Sequence, residues 1–116
     1  LRELVTYLQD NRETNWVDLH NLRIVKYGSV LHIDCHLTVP WYFTVKQGHD
    51  ETDKLEALIL NKFGERIELN IHTDYCHDFS CPLCDKQDCE VRQAPFQQQV
   101  EWTVENVVSS DKHRVG

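Results

Sequence analysis

Residues 31–39 alternate strictly between apolar and polar side chains, and this pattern constrains the fold of the chain more than any other. The apolar positions, which share one parity, are Leu31, Ile33, Cys35, Leu37 and Val39. The polar positions between them are His32, Asp34, His36 and Thr38. Because successive side chains of a strand point to opposite faces, we expect a β-strand with one face in the core and one polar face. Cys35 belongs to the core face, where a free cysteine packs as a small hydrophobic side chain.

The segments around this strand predict the order α-β-β-α-β. Residues 16–27 are rich in β-favouring residues, and Gly28-Ser29 provides the usual chemistry of a tight hairpin. Helical periodicity is present in residues 2–12 and again in residues 46–63, and alternation returns in residues 67–74. We therefore predict an α+β, ferredoxin-like sandwich, in which two helices cover one face of a three-stranded sheet. The other face is left to solvent or a partner.

The C-terminal part of the chain predicts less regular structure. Val100, Trp102 and Val104 alternate with polar residues, so residues 97–105 are predicted to form a fourth strand, with a helix as the alternative. The tail from Ser109 is predicted to be disordered, with His113 solvated. We divide the chain into a domain of residues 1–75, a Cys-rich metal-binding segment of residues 76–92, and an extra strand with a flexible tail in residues 93–116. A chain of 116 residues supplies one core, so these parts form a single compact domain.

Four of the five cysteines cluster in the segment Cys76-x4-Cys81-Pro82-Leu83-Cys84-x4-Cys89. A Cys-x2-Cys pair on a tight turn brings two thiolates to one tetrahedral ion, and Pro82 suits such a turn. The outer Cys76 and Cys89 would complete a four-thiolate site, in which His77 is able to replace one cysteine. Disulfides and free thiols are the alternatives, and the redox compartment decides between metal and disulfides.

The charge and the histidine content favour a cation as the partner. Nineteen acidic and 12 basic residues give a formal net charge of −7, which argues against nucleic acid. The chain also has 7 histidines, and imidazole is a common metal ligand. Five candidate ligands lie near strand ends and the start of the second helix, and would converge at one end of the sandwich: His20, His36, His49, His72 and Asp74. Such a set suits zinc or another divalent cation, and Asp74 is able to bridge two ions.

The chain carries no signal for a membrane span or for catalysis. Its longest apolar run, residues 39–45, contains a proline and falls short of the roughly 20 residues that cross a bilayer. The absence of methionine and a helical pattern that begins at Leu1 indicate a soluble fragment of a larger protein. Neither a Gly-rich phosphate loop nor a Gly-x-Ser-x-Gly motif is present, so we do not expect an enzyme.

Residues 17–75 resemble the cytoplasmic C-terminal domain of cation diffusion facilitator transporters, the proton-coupled exporters of zinc, cadmium, iron, cobalt and manganese. Five short motifs in the order and at the intervals of that family carry the resemblance: Asp18-Leu19-His20-Asn21-Leu22-Arg23, Gly28, His32-Ile33-Asp34-Cys35-His36-Leu37, Gly48-His49 and Asn70-Ile71-His72-Thr73-Asp74. The resemblance over residues 17–75 covers about half of the chain.

The resemblance implies a domain that forms a V-shaped homodimer below the membrane and binds regulatory metal at the interface. It also implies the five ligands listed above, with zinc as the default ion and iron, cobalt, cadmium or manganese as alternatives. Thr73 departs from the pattern, because some family members have a coordinating glutamine there. The implied partner is the transmembrane portion of the same transporter, at the cytoplasmic face of the cell membrane. The cysteine segment lies outside the common domain and would add a thiolate site particular to a subgroup.

We therefore expect a metal-sensing, dimerising cytosolic regulatory domain of a divalent-cation efflux transporter. The alternative is a free-standing soluble metal-binding module, a buffer or chaperone that uses the same ligands. A metal-dependent hydrolase with Glu68 or Asp34 as the base is disfavoured, because no apolar pocket with a poised base is evident. A zinc-ribbon module that binds nucleic acid is disfavoured by the acidic charge.

Overall fold

The computed structural model describes residues 2–64 and 66–113 of the chain. Its elements, in chain order, are α1 (Arg2–Asn11), β1 (Asp18–Tyr27), β2 (Val30–Val39), α2 (Val45–Phe63), β3 (Ile67–Tyr75), a 3-10 turn (Asp78–Leu83) and α3 (Val104–Val107). The predicted order α-β-β-α-β is therefore confirmed for residues 2–75, with element boundaries within about two residues of those predicted.

The three strands form one sheet in the order β1-β2-β3. Strands β1 and β2 are antiparallel and are joined at Gly28, whose φ of 60° lies in the left-handed region that glycine adopts without strain. Strands β2 and β3 are parallel, which requires a crossover, and α2 provides it. The ferredoxin-like α+β fold is confirmed.

Helix α2 begins and ends on strong local signals. Thr44 and Gln47 form a capping box: the backbone N–H of Gln47 donates to the Thr44 hydroxyl at 3.1 Å, and the backbone N–H of Thr44 donates to the Gln47 side chain at 2.8 Å. At the other end Gly64 adopts a φ of 87°, and its backbone N–H donates to the carbonyl of Leu60. Among the helices of residues 2–64 and 66–113, none combines the length and the apolar character that a membrane span requires.

The core lies between the two long helices and one face of the sheet. Its buried members from α1, α2 and the strands include Leu4, Val5, Leu8, Leu19, Ile33, Cys35, Leu37, Leu55 and Ile59. Cys35 is among them, as predicted, and burial raises the pKa of its thiol to about 12, so it is chemically inert at neutral pH.

A β-bulge interrupts β1 between His20 and Arg23. One extra residue on β1 is accommodated there, and Asn21 takes a φ of 54°. As a result Leu19 and Leu22, three positions apart, are both buried in the core cluster. His20 therefore lies on the opposite face of the sheet from Leu19 and Leu22. In a regular strand His20 and Leu22 would share one face, because residues two positions apart point the same way.

The prediction of a fourth strand over residues 97–105 is wrong. Residues 97–103 form no strand, and a short helix, α3, follows at Val104–Val107 after an N-cap at Thr103. The reason is the side chain of Trp102, which is 2% exposed and stacks on Trp16 with 6.4 Å between ring centroids. Its backbone N–H donates to the Gln9 side chain of α1 at 2.7 Å, so it is not available to a sheet edge.

The prediction of a disordered tail from Ser109 is also wrong for the described residues 109–113. The N–H of Asn21, at the bulge, donates to the carbonyl of Ser109 at 2.6 Å, and the Arg23 guanidinium donates to that of Val108 at 2.7 Å. The last three residues of the predicted tail lie outside the described part of the chain. The division of the chain after residues 75 and 92 stays a prediction, but Trp102 and Val107 belong to the same core cluster as the sheet.

We expect Trp102→Ala to lower the free energy of unfolding by about 3–5 kcal/mol, because it opens a large cavity against Trp16. Chemical denaturation followed by circular dichroism measures this change. The control is Tyr27→Ala, which removes an aromatic side chain that is 66% exposed and should cost less than about 1 kcal/mol. An equally small effect of Trp102→Ala would mean that the C-terminal segment is not part of the folded core.

Candidate metal centre

Three histidines lie side by side across the sheet. His20 of β1 is the register partner of His36 of β2, which is in turn the register partner of His72 of β3. The ring centroids of His20 and His36 are 5.0 Å apart, and those of His36 and His72 stack at 4.7 Å. Because register partners point to the same face, the pairing itself brings the three imidazoles together.

Asp74 lies on β3, two residues beyond His72, and completes the cluster. Its Oδ2 atom is 3.0 Å from Nδ1 of His36 and 3.6 Å from Nε2 of His20. One ligand atom from each of these three residues lies within 4.8 Å of the other two. Two imidazole nitrogens and one carboxylate oxygen are a donor set that zinc accepts.

His20 is the buried member of this cluster, with 5% of its surface exposed. Burial lowers the pKa of His20, which favours the neutral imidazole that binds metal. Its buried Nδ1 atom has no hydrogen-bond partner, and its Nε2 atom is beyond ordinary hydrogen-bond distance of Asp74. A buried imidazole with so few hydrogen bonds costs folding free energy when no metal is bound. The residues present therefore fit a divalent cation.

The C-terminal tail covers this end of the polar sheet face. Lys112 Nζ lies 4.0 Å from Asp74 Oδ2 and 3.5 Å from His77 Nε2. The backbone N–H of His113 donates to the Asp18 carboxylate at 2.9 Å, and its ring nitrogen lies 2.7 Å from the other oxygen of that carboxylate. The prediction that His113 is solvated is wrong, because its side chain is only 14% exposed. The predicted open face is thus covered here by the chain itself.

These tail contacts were not predictable from the sequence. Lys112 and His113 belong to no motif and follow a polar stretch without periodicity. Asp18 stands out in the sequence only as part of the motif around His20, and a carboxylate with only 2% of its surface exposed is rare. The contacts of Lys112 and His113 join residues 35 to 95 positions apart in the chain, which no local pattern encodes.

His49 is not brought into the cluster. It lies on the exposed surface of α2, where its Nδ1 atom is 3.2 Å from Asp53, and together with Asp50 these residues form a second group of potential ligands. All three are exposed, and exposed acidic groups are common without an ion. His49 and Asp74 do line the same surface groove, whose volume is about 430 Å³.

The four clustered cysteines share one small cavity. Cys76, Cys81, Cys84 and Cys89 line one small cavity of about 20 Å³, and all carry free thiols. No three of these sulfur atoms lie within 4.8 Å of one another. Burial raises the pKa of Cys76 and of Cys84, so both are protonated at neutral pH when no cation is bound. His77, the predicted substitute ligand, does not line the cavity and stacks on Phe79 instead.

Comparison with known proteins shows the family of the chain and its fold. The family model for the cytoplasmic domain of cation efflux proteins matches residues 11–76 of the chain. No curated protein matches the chain significantly.

Solved structures with the same fold include CzrB, MamM and CzcD. CzrB, described as a candidate zinc transporter, has a TM-score of 0.58 and 21% identity, over 65% of this chain and 90% of that chain. A variant of the MamM C-terminal domain has a TM-score of 0.54 and 21% identity, over 65% and 91%. The metal-bound C-terminal domain of CzcD from Thermotoga maritima has a TM-score of 0.53 and 26% identity, over 63% and 83%.

We expect the docking of residues 109–113 to weaken as pH rises. The hydrogen bond with Asp18 raises the pKa of His113, so the charged pair contributes its full stability below about pH 6.5 and loses it as pH rises through the raised pKa. Amide hydrogen exchange at Asn21, whose N–H donates to Ser109, measures this after correction for the intrinsic rate. In His113→Gln the pH dependence should disappear. If the corrected exchange rate in the unaltered chain is the same below pH 6.5 and above the raised pKa of His113, the prediction is contradicted.

Proposed function

Because the chain belongs to the family of cation efflux protein cytoplasmic domains, we propose that it is the metal-sensing, dimerising part of a divalent-cation efflux transporter. In this proposal it acts at the cytoplasmic face of the membrane, joined to the transmembrane portion of the same transporter. The ion sensed is zinc by default, and iron, cobalt, cadmium and manganese are the alternatives.

The observation that carries the proposal is the cluster of His20, His36 and Asp74. Each strand of the sheet contributes one residue, so an ion bound there would tie together β1, β2 and β3. The poorly satisfied ring of His20 supports a ligand at this point. A tetrahedral ion held by three residues has one further position, and His72, whose ring stacks on His36, is a candidate to fill it.

A second copy of the chain is the proposed partner, and an exposed apolar surface beside the cluster supports this. The groove that contains Asp74 and His49 is also lined by Trp41, Val45 and Tyr75, which are 56%, 93% and 60% exposed. Large exposed apolar side chains next to one another are typical of interaction sites. A homodimer that buries this surface would place its interface next to the metal.

Sensing requires that the ion bind one dimer arrangement more tightly than another. A difference of about 100-fold in affinity moves the equilibrium by about 2.7 kcal/mol. Replacing the Asp74 contacts to His20, His36 and Lys112 by contacts to an ion changes the charges at the edge of the proposed interface. This is a local change with the potential to favour one arrangement.

We expect His36→Ala/Asp74→Ala to remove one equivalent of bound metal per protomer, measured by equilibrium dialysis with elemental analysis. The matched control is His32→Ala/Glu68→Ala, which removes a second histidine–carboxylate pair, 3.2 Å apart, from β2 and β3. The control should keep the metal, because that pair lies at the opposite end of the strands from Asp74. Loss of metal in the control as well would point to a nonspecific effect.

Small-angle scattering and native mass spectrometry test the sensing step. The proposal predicts a dimer whose scattering profile changes when zinc is added, and no change in the His36→Ala/Asp74→Ala protein. A monomer that still binds zinc would instead favour the free-standing buffer or chaperone. A dimer with identical profiles in both states would overturn the sensing mechanism.

Lys112→Gln should strengthen zinc binding roughly twofold to tenfold, because the ammonium group 4.0 Å from Asp74 opposes a divalent cation and is able to swing into solvent. Isothermal titration calorimetry measures the affinity. Lys26→Gln, which removes an exposed lysine at the far end of β1, is the matched control and should leave the affinity unchanged. Weaker binding by Lys112→Gln would mean that the tail helps to build the site.

A further inference from the structure

Beyond the sensing site, we propose that Cys76, Cys81, Cys84 and Cys89 form a closed four-thiolate site for a single zinc or similar thiophilic ion. The ion would have a structural role and would attach the segment after β3 to the end of the sheet. The proposal does not depend on the proposed function, because it uses none of the ligands of the histidine cluster.

The size and shape of the cavity support the proposal. All four cysteines line a cavity of about 20 Å³, which has room for about one water-sized particle. Val17 and Pro40, at the ends of the sheet, form part of its wall. A small space that four thiols line, and that an apolar wall shields, suits a bare cation whose ligands replace its water.

Each of the four sulfurs already has a hydrogen-bonding partner from outside the set. Such contacts stabilise thiolates around a metal, because charged acceptors make stronger hydrogen bonds. The backbone N–H of Trp41 donates to the Cys76 sulfur and that of Gln93 to the Cys81 sulfur, both at 3.4 Å. The backbone N–H of Lys86 donates to the Cys84 sulfur. The Tyr42 hydroxyl is the partner of Cys89. Burial and the neighbouring Cys89 raise the pKa of Tyr42 to about 12, so its hydroxyl keeps the proton that it donates.

Arg92 holds the loop around the cavity. Its guanidinium donates four hydrogen bonds to backbone carbonyls, to Cys81 at 2.9 Å, Ala94 at 3.1 Å, Cys84 at 2.7 Å and Lys86 at 2.8 Å. One side chain therefore links the backbone around the two inner cysteines to the backbone of Lys86 and Ala94. The positive charge of Arg92 also offsets part of the negative charge that four thiolates around a divalent ion would carry.

Binding requires a contraction of the cluster. In a tetrahedral site with zinc–sulfur bonds of about 2.3 Å, the sulfur atoms are roughly 3.8 Å apart. Every set of three sulfurs now contains a pair separated by more than 4.8 Å. Rotation of the cysteine side chains would bring the sulfurs closer together on a loop that Arg92 already holds. The four thiols release their protons to solvent as four metal–sulfur bonds form, so a divalent ion leaves the site with a charge of −2.

The position of the site explains its proposed structural role. Cys76 follows β3 directly, and its N–H donates to the carbonyl of Val39 at 3.0 Å, which extends the β2–β3 pairing by one residue. The N–H groups of Gln97 and Gln98 donate to the carbonyl of Pro82, between the inner cysteines. An ion here would therefore fix both the end of β3 and the start of the segment that leads to Trp102.

The test uses the full 116-residue chain, purified anaerobically and without a tag. The His36→Ala/Asp74→Ala protein is loaded with zinc, dialysed, and examined by elemental analysis and X-ray absorption. We expect one zinc per protomer, surrounded by four sulfurs at about 2.3 Å. Adding Cys81→Ser/Cys84→Ser should remove this zinc, whereas Cys35→Ala, which deletes the buried fifth cysteine, should keep it.

Alkylation of the unaltered chain covers the case in which the serine variant fails to fold. We expect the four thiols to react several-fold more slowly with zinc present than after chelation. Zinc bound through nitrogen or oxygen, equal alkylation with and without zinc, or disulfides found by mass spectrometry in the anaerobic protein would each overturn the proposal. If the unaltered chain binds zinc at the four cysteines but not at the histidine cluster, the result would count against the sensing function and leave the cysteine site intact.

Discussion

The register of β2 against both of its neighbours is the constraint on which the rest of the structure depends. One face of β2 is buried under the helices, so a slip of one residue would expose Ile33, Cys35 and Leu37 and bury the polar positions between them. The same register sets His36 between His20 and His72. Core packing and the histidine cluster are therefore two consequences of one pairing.

The segment after β3 adds a second layer of organisation to this domain. It returns to the core at Trp102, which stacks on Trp16, and then runs back along β1 through contacts at Asn21 and Asp18. The bulge at Asn21 has two effects. It keeps His20 on the polar face, and it leaves the backbone N–H of Asn21 free to donate to the tail. The tail places Lys112 beside Asp74, so the ammonium group faces the position that a cation would take in the proposed sensor.

The two candidate metal sites differ in the way each would use an ion. The cluster of His20, His36 and Asp74 lies next to an exposed groove, has mixed nitrogen and oxygen ligands, and has a lysine close by. These features suit a site that fills and empties. The four cysteines surround a small cavity within a loop that Arg92 holds, and soft ligands in a closed site suit an ion that stays. Asp74 and Cys76 are two residues apart, so the proposed structural ion would also steady one ligand of the proposed sensor.

The sequence by itself determined the elements of residues 2–75, the core face of β2 and the buried state of Cys35, because periodicity and capping are local signals. It also placed four of the candidate ligands at strand positions, and pairing then brought His20, His36 and Asp74 together. Only the tertiary structure decided that His49 lies apart, that residues 97–103 form no strand and that Lys112 and His113 cover the polar face. The last two outcomes depend on contacts between residues far apart in the chain, chiefly Trp102 with Trp16 and His113 with Asp18. The free energy of such contacts overrides local β-propensity, and no short window of sequence contains both partners.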